Sequence, residues 1–365
     1  MIQGAIIMRH RGLTGSGLIP AAVLFAILFA CPAARAGAGA RVPDRSEIIK
    51  KLTGYQFAAL DSELSGYQKA YEADPAQEMN AMIGFGAFDT SNGLIASRLD
   101  DWVKASPDSY SAAVAHATGL MATGVRWRGD GYANAVTQQQ WDNMHRLFAQ
   151  AVAEAKRALS IDPNLSVAYA ILIKAARVGG TSADAGLAGA EALHRIPDSF
   201  AIREEMMRAL LPQWGGSRSA MLNFASTSQS YARQNPSIRF LNAWPIIAQC
   251  ESFSDARQLK QSAACYTRAI DAAGEYWLPY YRRADNYYGL GEYSLSLQDV
   301  MRADALYPGR SVDLKLLAYD TAKLDEPDAS ILWISQYMLV DTPDPDMFAL
   351  FRSQQPALKS LGYSQ

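Results

Sequence analysis

Small and apolar residues recur along the chain at fixed offsets. Ala151, Ala155 and Ala158 lie at i, i+4 and i+7, and Pro163 follows five residues later. Ala185, Gly189, Ala192 and Pro197 repeat those offsets, as do Ser296, Val300, Ala303 and Pro308. Positions so spaced share one helix face, where small side chains let a second helix approach closely. Proline then ends the helix, because it lacks an amide donor and restricts the residue before it. Two further copies are degenerate. Glu63, Tyr67, Ala70 and Pro75 place a charge first, and Ile95, Leu99, Trp102 and Pro107 use large apolar side chains.

The prolines carry the longer period. Pro75, Pro107, Pro163, Pro197, Pro236, Pro308 and Pro343 are separated by 32, 56, 34, 39, 72 and 35 residues. Several intervals are close to one unit, one is close to two, and one is a unit with an insertion. Recurrence at this length marks a stacked array. Between the prolines, alternating β-branched runs are scarce and Ala, Leu, Gln, Glu and Arg recur at helical spacing. The pattern predicts an all-α fold, a right-handed α-solenoid of about six or seven helical hairpins with atypical units capping both ends.

One unit is specific enough to compare with a known repeat. Pro279, Tyr280, Tyr281, Ala284, Tyr287, Gly291 and Tyr293, followed by Ser296, Val300, Ala303 and Pro308, resemble the two helices, the turn and the closing proline of a tetratricopeptide repeat. Gly291 would permit the tight turn, with Tyr287 and Tyr293 bracing the hairpin. A second resemblance covers residues 55 to 240. Leu99-Asp100-Asp101-Trp102 with Pro107, Trp127-Arg128-Gly129-Asp130-Gly131 with Trp141, and Leu211-Pro212-Gln213-Trp214-Gly215-Gly216-Ser217 are similar to a bacterial family of unknown function, domain of unknown function 4034. That resemblance implies secreted or envelope helical-repeat proteins with no assigned chemistry, and transfers no catalytic residue.

Composition narrows the class further. Of 365 residues, 49% are apolar and 19% charged, which excludes a disordered chain. The formal charge of −2 supplies no basic field, so nucleic acid is not an expected partner. Arg9 and Arg11 precede an apolar run from Leu18 to Ala30, too short to span a bilayer, and Ala34-Arg35-Ala36 forms a small-x-small cleavage site. Residues 1–36 therefore read as a signal peptide cleaved after Ala36, giving a protein secreted across the inner membrane into the periplasm. Leu28-Phe29-Ala30-Cys31 offers a rival reading, in which acylated Cys31 would anchor a lipoprotein; membrane association is expected only in that case. Removing residues 1–36 leaves 31 basic and 36 acidic residues, and Cys250 and Cys265. A helix ending near Cys250 and another beginning near Ser254 would offset the two sulfurs, so free buried thiols are expected. The remaining chain divides into a lead-in over 37–54, the family-like region over 55–240, tetratricopeptide-like repeats over 241–343 and a C-terminal capping helix over 344–365.

Signatures of catalysis are sparse. His116, His145 and His194 show no metal-ligand spacing, and no phosphate-binding loop or nucleophile elbow occurs, so no catalytic residue, cofactor or metal is expected. Glu251-Ser252 after an apolar helix resembles the catalytic opening of lytic transglycosylases, but the Gly-Leu-Met-Gln element of that family is absent. An envelope glycan-acting enzyme with Glu251 as general acid is thus the alternative function. Arg128-Gly129-Asp130 reads as part of a long connection anchored by Trp127, and Ser217 as a helix cap. The aromatic stretch around α-helical residues 276–293 divides into two faces. Tyr280, Ala284 and Tyr287 form hairpin core, while Leu278, Tyr281, Asp285 and Tyr288 face the concave side. Those four residues are the candidate site for a protein or peptide partner, and the leading function is an exported, noncatalytic scaffold or adaptor.

Overall fold

The computed structural model describes residues 42–129, 135–342 and 344–360, which belong to one compact unit. The leader, Cys31, Asp130, Gly131 and Pro343 lie outside the described residues. Every regular element among the described residues is helical. The chain begins with α1 (Arg45–Thr53), α2 (Phe57–Ala73), α3 (Glu78–Gly86) and α4 (Gly93–Ala105). Six hairpins follow: α5 (Tyr110–Arg128) with α6 (Gln138–Ile161), α7 (Ser166–Gly179) with α8 (Ser182–Arg195), and α9 (Phe200–Ala209) with α10 (Arg218–Ser228). Then come α11 (Trp244–Asp255) with α12 (Leu259–Ala273), α13 (Trp277–Leu290) with α14 (Tyr293–Leu306), and α15 (Ser311–Lys323) with α16 (Pro327–Val340). The last helix is α17 (Pro345–Ser360). The fold is an all-α solenoid of tetratricopeptide-like hairpins.

Local chemistry sets many of the starts. Ser109, Thr137, Thr181, Ser199 and Ser217 each accept a hydrogen bond from an amide in the first turn of the helix they precede. Such caps satisfy donors that the helix leaves free. Gly291, at φ +79°, closes α13 in the left-handed conformation that the hairpin turn requires. The small-residue series does what its spacing predicts: Ala151, Ala155 and Ala158 are buried on α6, and Ser296, Val300 and Ala303 on α14. Ile95, Leu99 and Trp102 are buried on α4. The first degenerate copy is displaced by one residue. Leu60, Leu64, Gln68 and Tyr71 are the buried positions of α2, while Glu63 is half-buried and pairs with Lys51 at 2.6 Å.

The two cysteines correct an expectation. Helix α11 continues to Asp255 and α12 starts only at Leu259, so Cys250 and Cys265 stand at matching heights across the antiparallel pair. Their Cα atoms are 5.4 Å apart and the sulfurs form a disulfide.

The ends of the array also differ from expectation. Helix α17 packs on α15 and α16, and in addition the two ends pack on each other. Ile48, Ile49 and Leu52 of α1 share one core with Leu314 and Leu317 of α15 and with Ile334 and Val340 of α16. Thr90 donates to the Asp341 carboxylate at 3.1 Å, and the Asn92 side chain donates to the Asp341 carbonyl at 3.2 Å. Helix α3 runs through the middle of this closure, touching α5, α7 and α9. Its Glu78 is fully buried and accepts hydrogen bonds from Ser199 Oγ (2.5 Å), the Phe200 amide (2.5 Å), the Ala201 amide (3.3 Å) and Asn235 Nδ2 (2.6 Å). A carboxylate thus sits on the amino end of α9, where the helix dipole favours it. At the other end of α3, Gly86 has no side chain to obstruct Tyr307, whose hydroxyl donates to the Met82 carbonyl at 3.0 Å.

Candidate functional site

Helix α13 presents the residues that periodicity placed on a partner-binding face. Asp285 is exposed, and Tyr281 and Tyr288 are half-buried. Leu278 departs from the expectation: at 5% exposure it belongs to the core formed with Trp244, Tyr266 and Tyr276. One turn at the helix start is enough to carry that position under the preceding hairpin. Tyr281 lies 5.0 Å beneath the Arg310 guanidinium, whereas Tyr288 meets Tyr293 at 5.4 Å and Tyr319 at 6.0 Å. Tyr288, Tyr293 and Tyr319 come from α13, α14 and α15, so three successive helices contribute to one half-exposed aromatic strip. On the opposite face Ala284 is buried as expected, but Tyr280 and Tyr287 are half-buried. They flank Arg283, which pairs with Asp299 at 2.6 Å; the ion pair occupies the space expected for aromatic core.

A cavity of about 410 Å³ remains on the inner side of the array. Its wall follows the repeat. Val167, Ala201 and Val312 each lie four residues after a repeat proline, and Thr118, Lys174 and Arg208 each lie eleven after one. Equivalent positions on α5, α7, α9 and α15 therefore face one space, and Arg45, Met82 and Gly86 close it from the side of α1 and α3. Arg45, Lys174, Arg177, Arg208 and Arg310 line it together with Asp89, Glu204 and Glu205. Much of this charge is paired. Arg177 meets Glu205 at 2.8 Å, and Arg208 meets Glu204 at 3.0 Å and Glu205 at 3.4 Å. Tyr276 donates to Glu204 at 2.5 Å. Burial raises the Glu205 carboxyl, but Arg177 and Arg208 outweigh it and hold the group below its ordinary range. Arg310 is bonded to Asp313 and lies 3.5 Å over the Trp277 ring.

These cations were not legible as a group in the sequence, because they are scattered over most of its length. Counting residues from each repeat proline would have aligned Lys174 with Arg208, the one signal available.

The other candidates have structural surroundings. Glu251, the general acid of the alternative function, is half-buried in the middle of α11 and pairs with Arg282 at 3.4 Å. Burial raises its carboxyl, and the charges of Arg282 and Arg208 oppose that shift. His116 lies between Asp100 (3.1 Å) and Glu154 (3.7 Å), His145 stacks on Trp141, and His194 is exposed. Among the described residues no group of three or more such side chains could hold a metal ion. Trp127 belongs to α5, which continues through it to Arg128, and the residue is 46% exposed. Ser217 does cap α10, and the Trp214 ring lies 5.1 Å from the Arg177 guanidinium.

Residues 46–182 match the family model described as domain of unknown function DUF4034. The match stops before Trp214, so the Trp-Gly-Gly-Ser element lies outside it. No curated protein matches the chain. Among solved structures, the chain is similar to PilW, a widely conserved type IV pilus biogenesis factor, at 17% identity. That alignment covers 52% of this chain and 84% of the other, with a TM-score of 0.28, a likeness too small to bear on fold or partner.

Proposed function

We propose that the protein is an exported, noncatalytic helical-repeat scaffold that binds a protein or peptide partner along α13–α15. The observation that carries this reading is the half-exposed strip of Tyr288, Tyr293 and Tyr319 beside exposed Asp285. Tyrosines held on rigid helices offer apolar area and a hydroxyl at little entropic cost, which suits recognition of a polypeptide. Export is supported by the leader-like segment and by the Cys250–Cys265 pair, which an oxidising compartment would keep joined. Cleavage after Ala36 would release a periplasmic protein, and acylation of Cys31 would anchor it.

The test places a photoreactive residue at position 285 in cells, with Leu187 on α8 as a remote exposed control. The expected result is one discrete adduct from position 285, absent at 187 and lost in Tyr288→Ala without a change in the unfolding midpoint. Equal adducts from both positions, or early melting of Tyr288→Ala, would overturn the assignment. Mass spectrometry of the mature amino terminus reads localisation separately: a free Gly37 means soluble, and an acylated Cys31 means anchored.

A further inference from the structure

We infer that the inner cavity is a binding site for a small organic anion with a carboxylate or phosphate head and a short apolar body. The site differs from the tyrosine strip in ligand and location. Three observations carry it. First, the volume of about 410 Å³ lies within the range of small-molecule sites. Second, cationic side chains converge there beyond what the local carboxylates neutralise. Glu204 and Glu205 balance Arg177 and Arg208, and Asp313 balances Arg310. Lys174 makes no direct ion pair, its charge acting on Glu205 only at longer range, and Arg45 reaches only the backbone carbonyl of Asp89, at 3.1 Å. Asp89, exposed at the rim, is the carboxylate nearest in charge to Arg45. Third, Arg45 is only 5% exposed, yet its Nε–H has no acceptor, and the Nε–H of Arg177 has none either. A buried guanidinium left partly unsatisfied is costly, and an oxyanion accepting from it would remove that cost.

The wall between the cations decides the rest of the ligand. Val167, Ala170 and Ile171 from α7 and Met121 from α5 form an apolar patch beside Lys174. An inorganic ion would leave that patch wet, whereas a head with a short hydrocarbon or ring would cover it.

Isothermal titration of the full chain with phenyl phosphate, benzoate, inorganic phosphate and benzyl alcohol tests the assignment. Phenyl phosphate or benzoate should bind, and which binds more tightly identifies the head. Inorganic phosphate and benzyl alcohol should bind much more weakly, since each lacks one half of the ligand. Lys174→Met should weaken binding about tenfold, as loss of one charge-assisted contact does. Ala170→Phe, which fills the cavity, should abolish binding while the circular dichroism spectrum is retained. No binding of either aromatic anion at millimolar concentration would overturn the proposal. So would binding that neither substitution changes, or binding that inorganic phosphate or benzyl alcohol matches.

Discussion

Replacing Glu78 by glutamine should destabilise the protein by about 1–4 kcal/mol, a large effect for a change of one atom. The carboxylate accepts from four donors: Ser199, the amides of Phe200 and Ala201, and Asn235. Ser199 Oγ could turn to accept, but the Phe200 and Ala201 amides and Asn235 Nδ2 only donate and lie on both sides of the carboxylate, so a glutamine NH₂ must face at least one buried N–H. An unsatisfied buried donor costs about 1–3 kcal/mol, and removing a negative charge from the amino end of α9 adds about 0.3–1 kcal/mol. Urea unfolding followed by helical circular dichroism reads the loss. The midpoint should fall with the slope unchanged, because the surface exposed on unfolding is the same. Glu191→Gln, on the exposed face of α8, serves as the control and should have no measurable effect. Burial pushes the Glu78 carboxyl up, against the pull of Ser199 and the α9 amides. A loss under about 1 kcal/mol would mean that burial wins and a proton already rests on Glu78, which would refute the assignment of an ionised hub.

Two further outcomes follow from groups buried elsewhere. Asp320 is fully buried, accepts from Ser296 Oγ at 2.6 Å, leaves Oδ1 without a donor, and is pushed by burial up to about 7 from an ordinary 3.8. Its folded value exceeds its unfolded one, so the native state binds the extra proton between those limits: stability should fall as pH rises from about 4 to about 7 and level off above. Asp320→Asn should flatten that slope in pH-dependent thermal melts; a slope unchanged by the substitution would assign the dependence to other groups. Cys250→Ser opens a loop closed across 15 residues and should cost about 3 kcal/mol, and it should make the unfolding midpoint insensitive to reductant. A parent protein whose midpoint does not move on reduction would contradict the disulfide.

The hairpins were legible because their determinants are local. Ala151, Ala155 and Ala158 fall within two turns, and no distant residue is needed to explain why that face is buried. The displaced copy on α2 shows where the rule weakens: Glu63 fits the offsets, yet it pairs with Lys51 of a neighbouring helix and the core face falls one residue later. Small errors in helix ends had larger effects. Ending α11 five residues early separated two cysteines that in fact stand side by side, and ending α5 early turned Trp127 into a loop residue. Glu78 was illegible for another reason. A glutamate in an amphipathic helix reads as surface, and the donors that bury it lie more than a hundred residues away.

Closure of the array links that hidden residue to both binding surfaces. A repeat stack normally leaves an apolar face at each end and an open concave side between them. Here α1 and α16 pack on each other and share one core. Helix α3 must then lie inside, and it can do so only because Glu78 satisfies the α9 amides and Gly86 admits Tyr307. Beside α3 there remains a cavity of about 410 Å³, a volume that suits a small ligand. The partner site proposed above uses the half-exposed edge where Tyr288, Tyr293 and Tyr319 meet. The two proposed sites are therefore adjacent and share α13 and α15: Trp277 and Val312 line the cavity, Tyr288 and Tyr319 belong to the strip, and Tyr281, beneath Arg310, lies between them.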